Sequence, residues 1–76
     1  DKNITKIVIN LEKVDYIDSS GVGALIHIFT SVKRNGYKLR IANVHGSVAK
    51  VIKLTKLMGY FPIVDDVKTA LQELSV

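Results

Sequence analysis

The spacing of apolar residues changes several times along the chain, and each change marks an element. Lys6-Ile7-Val8-Ile9-Asn10-Leu11 is a short β-branched run with almost no alternation. That is the pattern of a strand covered on both faces, as in a parallel sheet. Glu12 to Ser19 reads as a loop in which Val14 and Ile17 are apolar anchors. From Ser20 to about Arg34 apolar residues recur every three or four positions. Val22, Leu25, Ile26, Phe29 and Val32 share one helical face, and Ala24 and Ile28 widen it. The arc covers about half the circumference, more than the ~100° stripe of a helix lying on one sheet face. This helix is therefore expected to touch something besides the sheet.

Asn35-Gly36 supplies a left-handed cap, and Tyr37 to Ala42 alternates Leu39 and Ile41 against Lys38 and Arg40 as a second strand. A second helix is predicted from about Val48 to Met58, capped by Gly46-Ser47 and ended by Gly59. Val48, Val51, Ile52, Thr55 and Met58 would face inward, and Lys50, Lys53 and Lys56 outward. Tyr60-Phe61-Pro62-Ile63-Val64 holds a turn and a short third strand, with Tyr60 and Phe61 assigned to the core. Asp65 or Asp66 can cap a last helix with Val67, Ala70, Leu71 and Leu74 inward. The order β-α-β-α-β-α calls for an α/β fold with a mainly parallel sheet packed by helices and right-handed crossovers.

Composition narrows the function. The 76 residues make one small domain, and zero cysteines exclude disulfides, thiolate metal sites and cysteine nucleophiles. His27 and His45 lack the context of a zinc centre, so no metal and no other cofactor is expected. No apolar run approaches the ~20 residues of a membrane span. The net charge of +4 is spread from Lys2 to Lys68 with few aromatics between, which argues against nucleic acid; no membrane contact is expected either. The opening Asp1-Lys2-Asn3, with no Met, suggests a fragment.

One segment stands apart: Ile17-Asp18-Ser19-Ser20-Gly21-Val22-Gly23, between the first strand and the first helix. This is the carboxyl edge of the sheet, where α/β folds place their sites. A P-loop would need Gly-Lys-Ser/Thr where Ala24-Leu25-Ile26 stands, and a dinucleotide fingerprint would need glycine in place of Ile26. A nucleophile elbow would need glycine at Ile17 or Asp18. No set of acid, base and nucleophile can be assembled, so the chain is not read as an enzyme. Helix capping by Asp18, Ser19 or Ser20 accounts for the residue types without any function. Yet three capping residues stand where one suffices. A serine freed from capping would be exposed beside the unpaired N–H groups of a helix start.

Val14-Asp15-Tyr16-Ile17-Asp18-Ser19-Ser20-Gly21-Val22-Gly23 closely resembles the signature of the bacterial anti-sigma factor antagonists, the small STAS domains. The resemblance continues through Ile7–Leu11, through Lys33-Arg34-Asn35-Gly36-Tyr37-Lys38-Leu39 and through Leu54-Thr55-Lys56-Leu57-Met58-Gly59-Tyr60. It implies a STAS-like layered fold for residues 1–76, here the C-terminal two-thirds of the family domain. The two opening strands of the family are absent. An incomplete sheet edge of this kind invites strand exchange or edge pairing between chains.

The resemblance also implies a function. In the family the serine directly after the Asp, here Ser19, is phosphorylated by a partner that is both anti-sigma factor and serine kinase. The unmodified antagonist binds that kinase and releases a sigma factor; a serine phosphatase reverses the modification. Asp18, Ser20, Gly21, Val22 and Gly23 would frame the phosphosite, with N–H groups from Ser20 to Val22 holding the phosphate, in a cytoplasmic setting. His27, Lys50, Lys53 and Lys56 form a candidate docking surface, although a solvated helix face is the commoner meaning of such lysines. The alternative is a regulatory module that binds a nucleotide or another anion at the helix start, or that regulates a transporter or a stress-sensing complex.

Overall fold

A computed structural model describes residues 5–75; the opening Asp1-Lys2-Asn3 lies outside them. The elements are β1 (Lys6–Asn10), α1 (Ser19–Arg34), β2 (Lys38–Ala42), α2 (Gly46–Leu54), β3 (Ile63–Val64) and α3 (Val67–Leu74). The strands form one parallel sheet in the order β1-β2-β3. In register, Ile7 pairs with Leu39 and Ile9 with Ile41. Side chains alternate across a strand, so these four share one face, the face covered by Leu25 and Val32 of α1 and by Val48 and Ile52 of α2. Arg40 and Ala42 point to the other face, where α3 lies with Ala70 and Leu74 buried. The Nε of Arg40 reaches the Glu73 carboxylate on α3 at 2.6 Å. The result is three layers, helix on sheet on helix.

β1 has helices on both faces, the core cluster against Ile7 and Ile9 and α3 on the other side, yet Ile7, Val8 and Ile9 are only half-buried, because among the described residues it is an edge strand. The wide apolar arc of α1 is partly explained by aromatic contacts. The Phe29 ring meets Tyr60 edge-on at 5.1 Å and Phe61 at 6.1 Å between ring centres. Phe61 is buried, as expected, whereas Tyr60 is half exposed. Ala24 and Ile28, at the margin of the arc, are exposed.

Two helices end in the same six-residue device. In α1 the Tyr37 N–H donates to the Val32 carbonyl and the Gly36 N–H to Lys33, with Gly36 at φ +73°, a Schellman cap. α2 repeats it with Leu57 donating to Ile52 and Lys56 to Lys53, but the left-handed position holds Lys56 at φ +62°. Helix α2 therefore stops at Leu54, four residues short of the Met58 expected from the sequence. The Thr55 hydroxyl lies 3.1 Å from the Val51 carbonyl and 2.9 Å from that of Ile52, and half-buried Leu57 packs on the core beyond the turn. Thr55 and Met58 are accordingly exposed and not on an inward face. Lys56 leaves the helical stripe of Lys50 and Lys53.

Helix α3 is capped by Asp66, whose carboxylate accepts the Thr69 N–H at 2.7 Å. That backbone hydrogen bond holds the Asp66 carboxyl below its ordinary value. The expected Gly46-Ser47 cap on α2 is not formed: His45 is the N-cap residue and makes no side-chain capping bond.

Candidate functional site

The Asp18–Gly23 segment sits where β1 gives way to α1, at the carboxyl edge of the sheet. Asp18 is the N-cap: its Oδ1 accepts the Gly21 N–H at 3.0 Å, and its carbonyl accepts the Val22 N–H at 3.0 Å. Both groups that close the first turn thus come from one residue. Ser19 and Ser20 become the first two helical residues, exposed. Their N–H groups precede the helical bonding pattern and aim outward along the positive end of the helix dipole. The first turn itself holds no acidic residue, so the capping Asp18 carboxylate is what offsets that end.

The glycines differ in their reasons. A Cβ on Gly21 would stand 2.5 Å from Cγ1 of Ile17 and 3.1 Å from its Cδ1. Ile17 is half-buried against the core, so the loop folds its anchor directly over the first turn and only a bare Cα fits beneath. Gly23 has open space above it, lies one turn along from Ser19, and is exposed.

Asp18, Ser20, Gly21 and Gly23 surround the exposed Ser19 at this helix start. Val22 is 5% exposed and belongs to the core. With the Gly21 and Val22 N–H groups engaged by Asp18, the donors open to an anion are those of Ser19 and Ser20, not of Ser20 to Val22. His27 is exposed on α1 two turns from Ser19 and lines an open groove of about 270 Å³ with Ile7, Ile28 and Tyr37. Lys50 and Lys53 are exposed on α2, a different element.

The loop that carries the site is tied down by residues that sequence reasoning passed over. Asn10 Oδ1 accepts both the Glu12 N–H and the Asn43 amide, at 3.0 and 2.9 Å. His45 donates from Nε2 to the Glu12 carbonyl at 2.8 Å, and the Ser47 hydroxyl donates to the Asp15 carbonyl. Beside these ties Glu12, Asn43, Val44, His45 and Asp65 line a cleft of about 350 Å³. Their one sequence signal was position: all lie within three residues after the end of a strand, the usual place for sites in such sheets. Among the described residues no group of three or more His, Asp or Glu could hold a metal ion, and no helix is long and apolar enough to cross a membrane.

The family model described as the STAS domain matches residues 1–70. The anti-sigma F factor antagonist of Paenibacillus polymyxa is 29% identical over 70 residues, covering 92% of this chain and 60% of that protein. A Thermotoga maritima protein with the provisional name of anti-sigma factor antagonist is 29% identical over 73 residues, covering 96% of this chain and 65% of the relative. A Thermotoga neapolitana protein of similar provisional name is 30% identical with the same coverage. The chain thus spans less than two-thirds of the length of these relatives.

Proposed function

The chain belongs to the STAS domain family, and from that membership we propose that it acts as an anti-sigma factor antagonist switched at Ser19. Unmodified, it binds an anti-sigma factor that is also a serine kinase, and so releases a sigma factor in the cytoplasm. Phosphorylation of Ser19 ends the binding, and a serine phosphatase restores it. The names of the relatives support the antagonist role. The observation that carries the switch is the division of labour at the helix start. Asp18 does the capping, which leaves Ser19 exposed and free to be modified without unmaking the helix.

The physics is local. A phosphoserine adds about −1.5 to −2 charges and three acceptor oxygens, here next to the Asp18 carboxylate and over the Ser19 and Ser20 N–H groups. Those donors and the helix dipole make the phosphate tolerable to the fold. A partner surface shaped for a neutral hydroxyl meets bulk and an ion that must be desolvated, and affinity drops. Gly23 supports the same face. An exposed helical glycine costs roughly 0.5–1 kcal/mol relative to Ala, and no contact among the described residues calls for it; a partner that approaches the bare backbone would. The proposal gives the domain no reaction of its own.

The test mixes the full-length protein with the serine kinases of its source and ATP, and locates phosphate by mass spectrometry. Ser19→Asp is expected to weaken kinase binding while Ser19→Ala leaves it largely intact. Equal binding by both variants, or phosphate found only elsewhere, ends this reading.

A further inference from the structure

The lysines look scattered along the sequence, but the topology gathers them. In a parallel α/β layer every strand starts, and every crossover helix ends, at the same edge. That edge receives Lys6 and Lys38 from the strand starts and Lys33, Arg34 and Lys53 from the helix ends. Lys56 joins them from the turn after α2. Among the described residues its one acid is Glu73, which is paired to Arg40. Glu12, Asp15, Asp18, Asp65 and Asp66 all fall at the opposite, carboxyl edge, beside Ser19, with only Lys13 and Lys68 among them. The described residues are electrically polarised from one sheet edge to the other.

Apolar side chains stand at the same basic pole. Leu54, the last residue of α2, is 76% exposed; Met58 and Tyr60 in the turn that follows are 37% and 45% exposed. Tyr60 packs on Phe29, and the Lys33 ammonium lies 5.4 Å from the centre of the Phe29 ring. Tyr60, Phe29 and Lys33 thus join the turn after α2 to the last turn of α1.

Cations at helix ends are favoured by the helix dipole, and this accounts for Lys33, Arg34 and Lys53. It does not account for Lys6 and Lys38. These two are adjacent in register on neighbouring strands, both exposed, and like charges so placed disfavour the sheet. Nor does it account for exposed Leu54, Met58 and Tyr60.

We infer that this pole docks on an anionic phospholipid surface. Protein interfaces are depleted in lysine and enriched in arginine, and planar phosphate recognition also favours arginine; here lysine dominates. A bilayer attracts either cation through its surface potential. Protruding leucine, methionine and tyrosine then enter the headgroup boundary while lysine stems lie along it. Negative charge at the far edge is repelled by the same surface, so docking turns the start of α1 away from the bilayer. The proposal departs from the expectation of no membrane contact, which rested on the lack of an apolar run long enough to span a bilayer, and it does not depend on Ser19.

The experiment is co-sedimentation of the full-length protein with vesicles of phosphatidylcholine alone and with about 30% phosphatidylserine, at low and high salt. Binding is expected only on the anionic vesicles, falling steeply as salt screens it. One lysine near the surface is worth about a five-fold change, so Lys38→Glu with Lys53→Glu lowers partition by about 25-fold or more. Lys6→Gln, at the exposed start of the edge strand, serves as a milder second variant, and circular dichroism checks that each stays folded. Leu54→Ser with Tyr60→Ser leaves the charge alone and still weakens binding. Equal partition on both vesicles, no partition, or a charge reversal that binds like the parent overturns the inference. So does tighter binding to a short DNA duplex that Leu54→Ser leaves unchanged, which would mark a polyanion site instead.

Discussion

Replacing Gly21 by alanine sets two known effects against each other. Alanine is favoured over glycine inside a helix by up to ~1 kcal/mol, and in the first turn the gain is smaller. Against this, the new methyl would lie 2.5 Å from Ile17 Cγ1, well inside contact distance. Ile17 is β-branched and stiff at χ1, and it is packed on the core cluster, so it must be displaced as a whole. Forcing an extra carbon into a filled site costs typically ~1–3 kcal/mol. The clash wins, and a net loss of about 1 kcal/mol follows, equivalent to a fall of ~4–8 °C in Tm for a domain of this size. Urea denaturation of four proteins checks the cause: parent, Gly21→Ala, Ile17→Ala and the double variant. With Ile17 truncated, Gly21→Ala becomes neutral or stabilising, a coupling that neighbours in contact should show. A stabilised Gly21→Ala in the parent, or an undiminished loss in the Ile17→Ala background, rules out the Ile17 clash as the cause.

Gly23→Ala, made where there is open space, raises stability by ~0.5–1 kcal/mol in the same urea assay. Lys56→Gly relieves a left-handed lysine and gains about 1 kcal/mol, seen as a higher urea midpoint with the slope unchanged. Asp18→Ala removes the cap on α1 and loses ~1 kcal/mol, while Ser19→Ala stays within ~0.5 kcal/mol of the parent; equal losses would put the cap on the wrong residue. The folded-state pKa of Asp66 is depressed by the Thr69 N–H. Its contribution is therefore complete above the ordinary value of 3.8 and is lost as pH falls through the lower folded value. Asp66→Asn keeps a capping oxygen but no titration, and flattens that acid limb in urea midpoints measured against pH.

Element order and type were legible because each element has a clean period. Ile7 to Ile9 carry no alternation, α1 carries a three-four repeat, and Leu39 and Ile41 alternate with charged residues. The end of α2 was not legible. Gly59 was the obvious left-handed residue, yet the turn formed at Lys56 because Leu57 could reach the core from there and Thr55 could bond back to the helix. Local hydrogen bonding and one buried leucine outweighed glycine preference. At the site, the Asp-Ser-Ser-Gly run announced a helix start, but which residue capped it depended on backbone geometry that no spacing encodes. The ties through Asn43, His45 and Ser47 were invisible for a different reason. Each joins residues 32 or 33 positions apart, and their alignment exists only once β1 and β2 are in register.

Those three ties bear on how a signal at Ser19 could travel. The Glu12–Asp18 stretch has no ladder or helix of its own, yet it is moored at its near end through Asn10, in its first turn through Glu12, and midway through Asp15, always to the segment that leads from β2 into α2. A loop held so closely is a fixed mount, not a lever. A change of chemistry at its far end has little slack to pull on, so its message is written on the surface and must be read there by touch. The same mooring makes the start of α2 an unseen guardian of that surface. Cutting the His45 or Ser47 tie should loosen amide protection between Glu12 and Ser19 while leaving the Ser19 side chain chemically untouched.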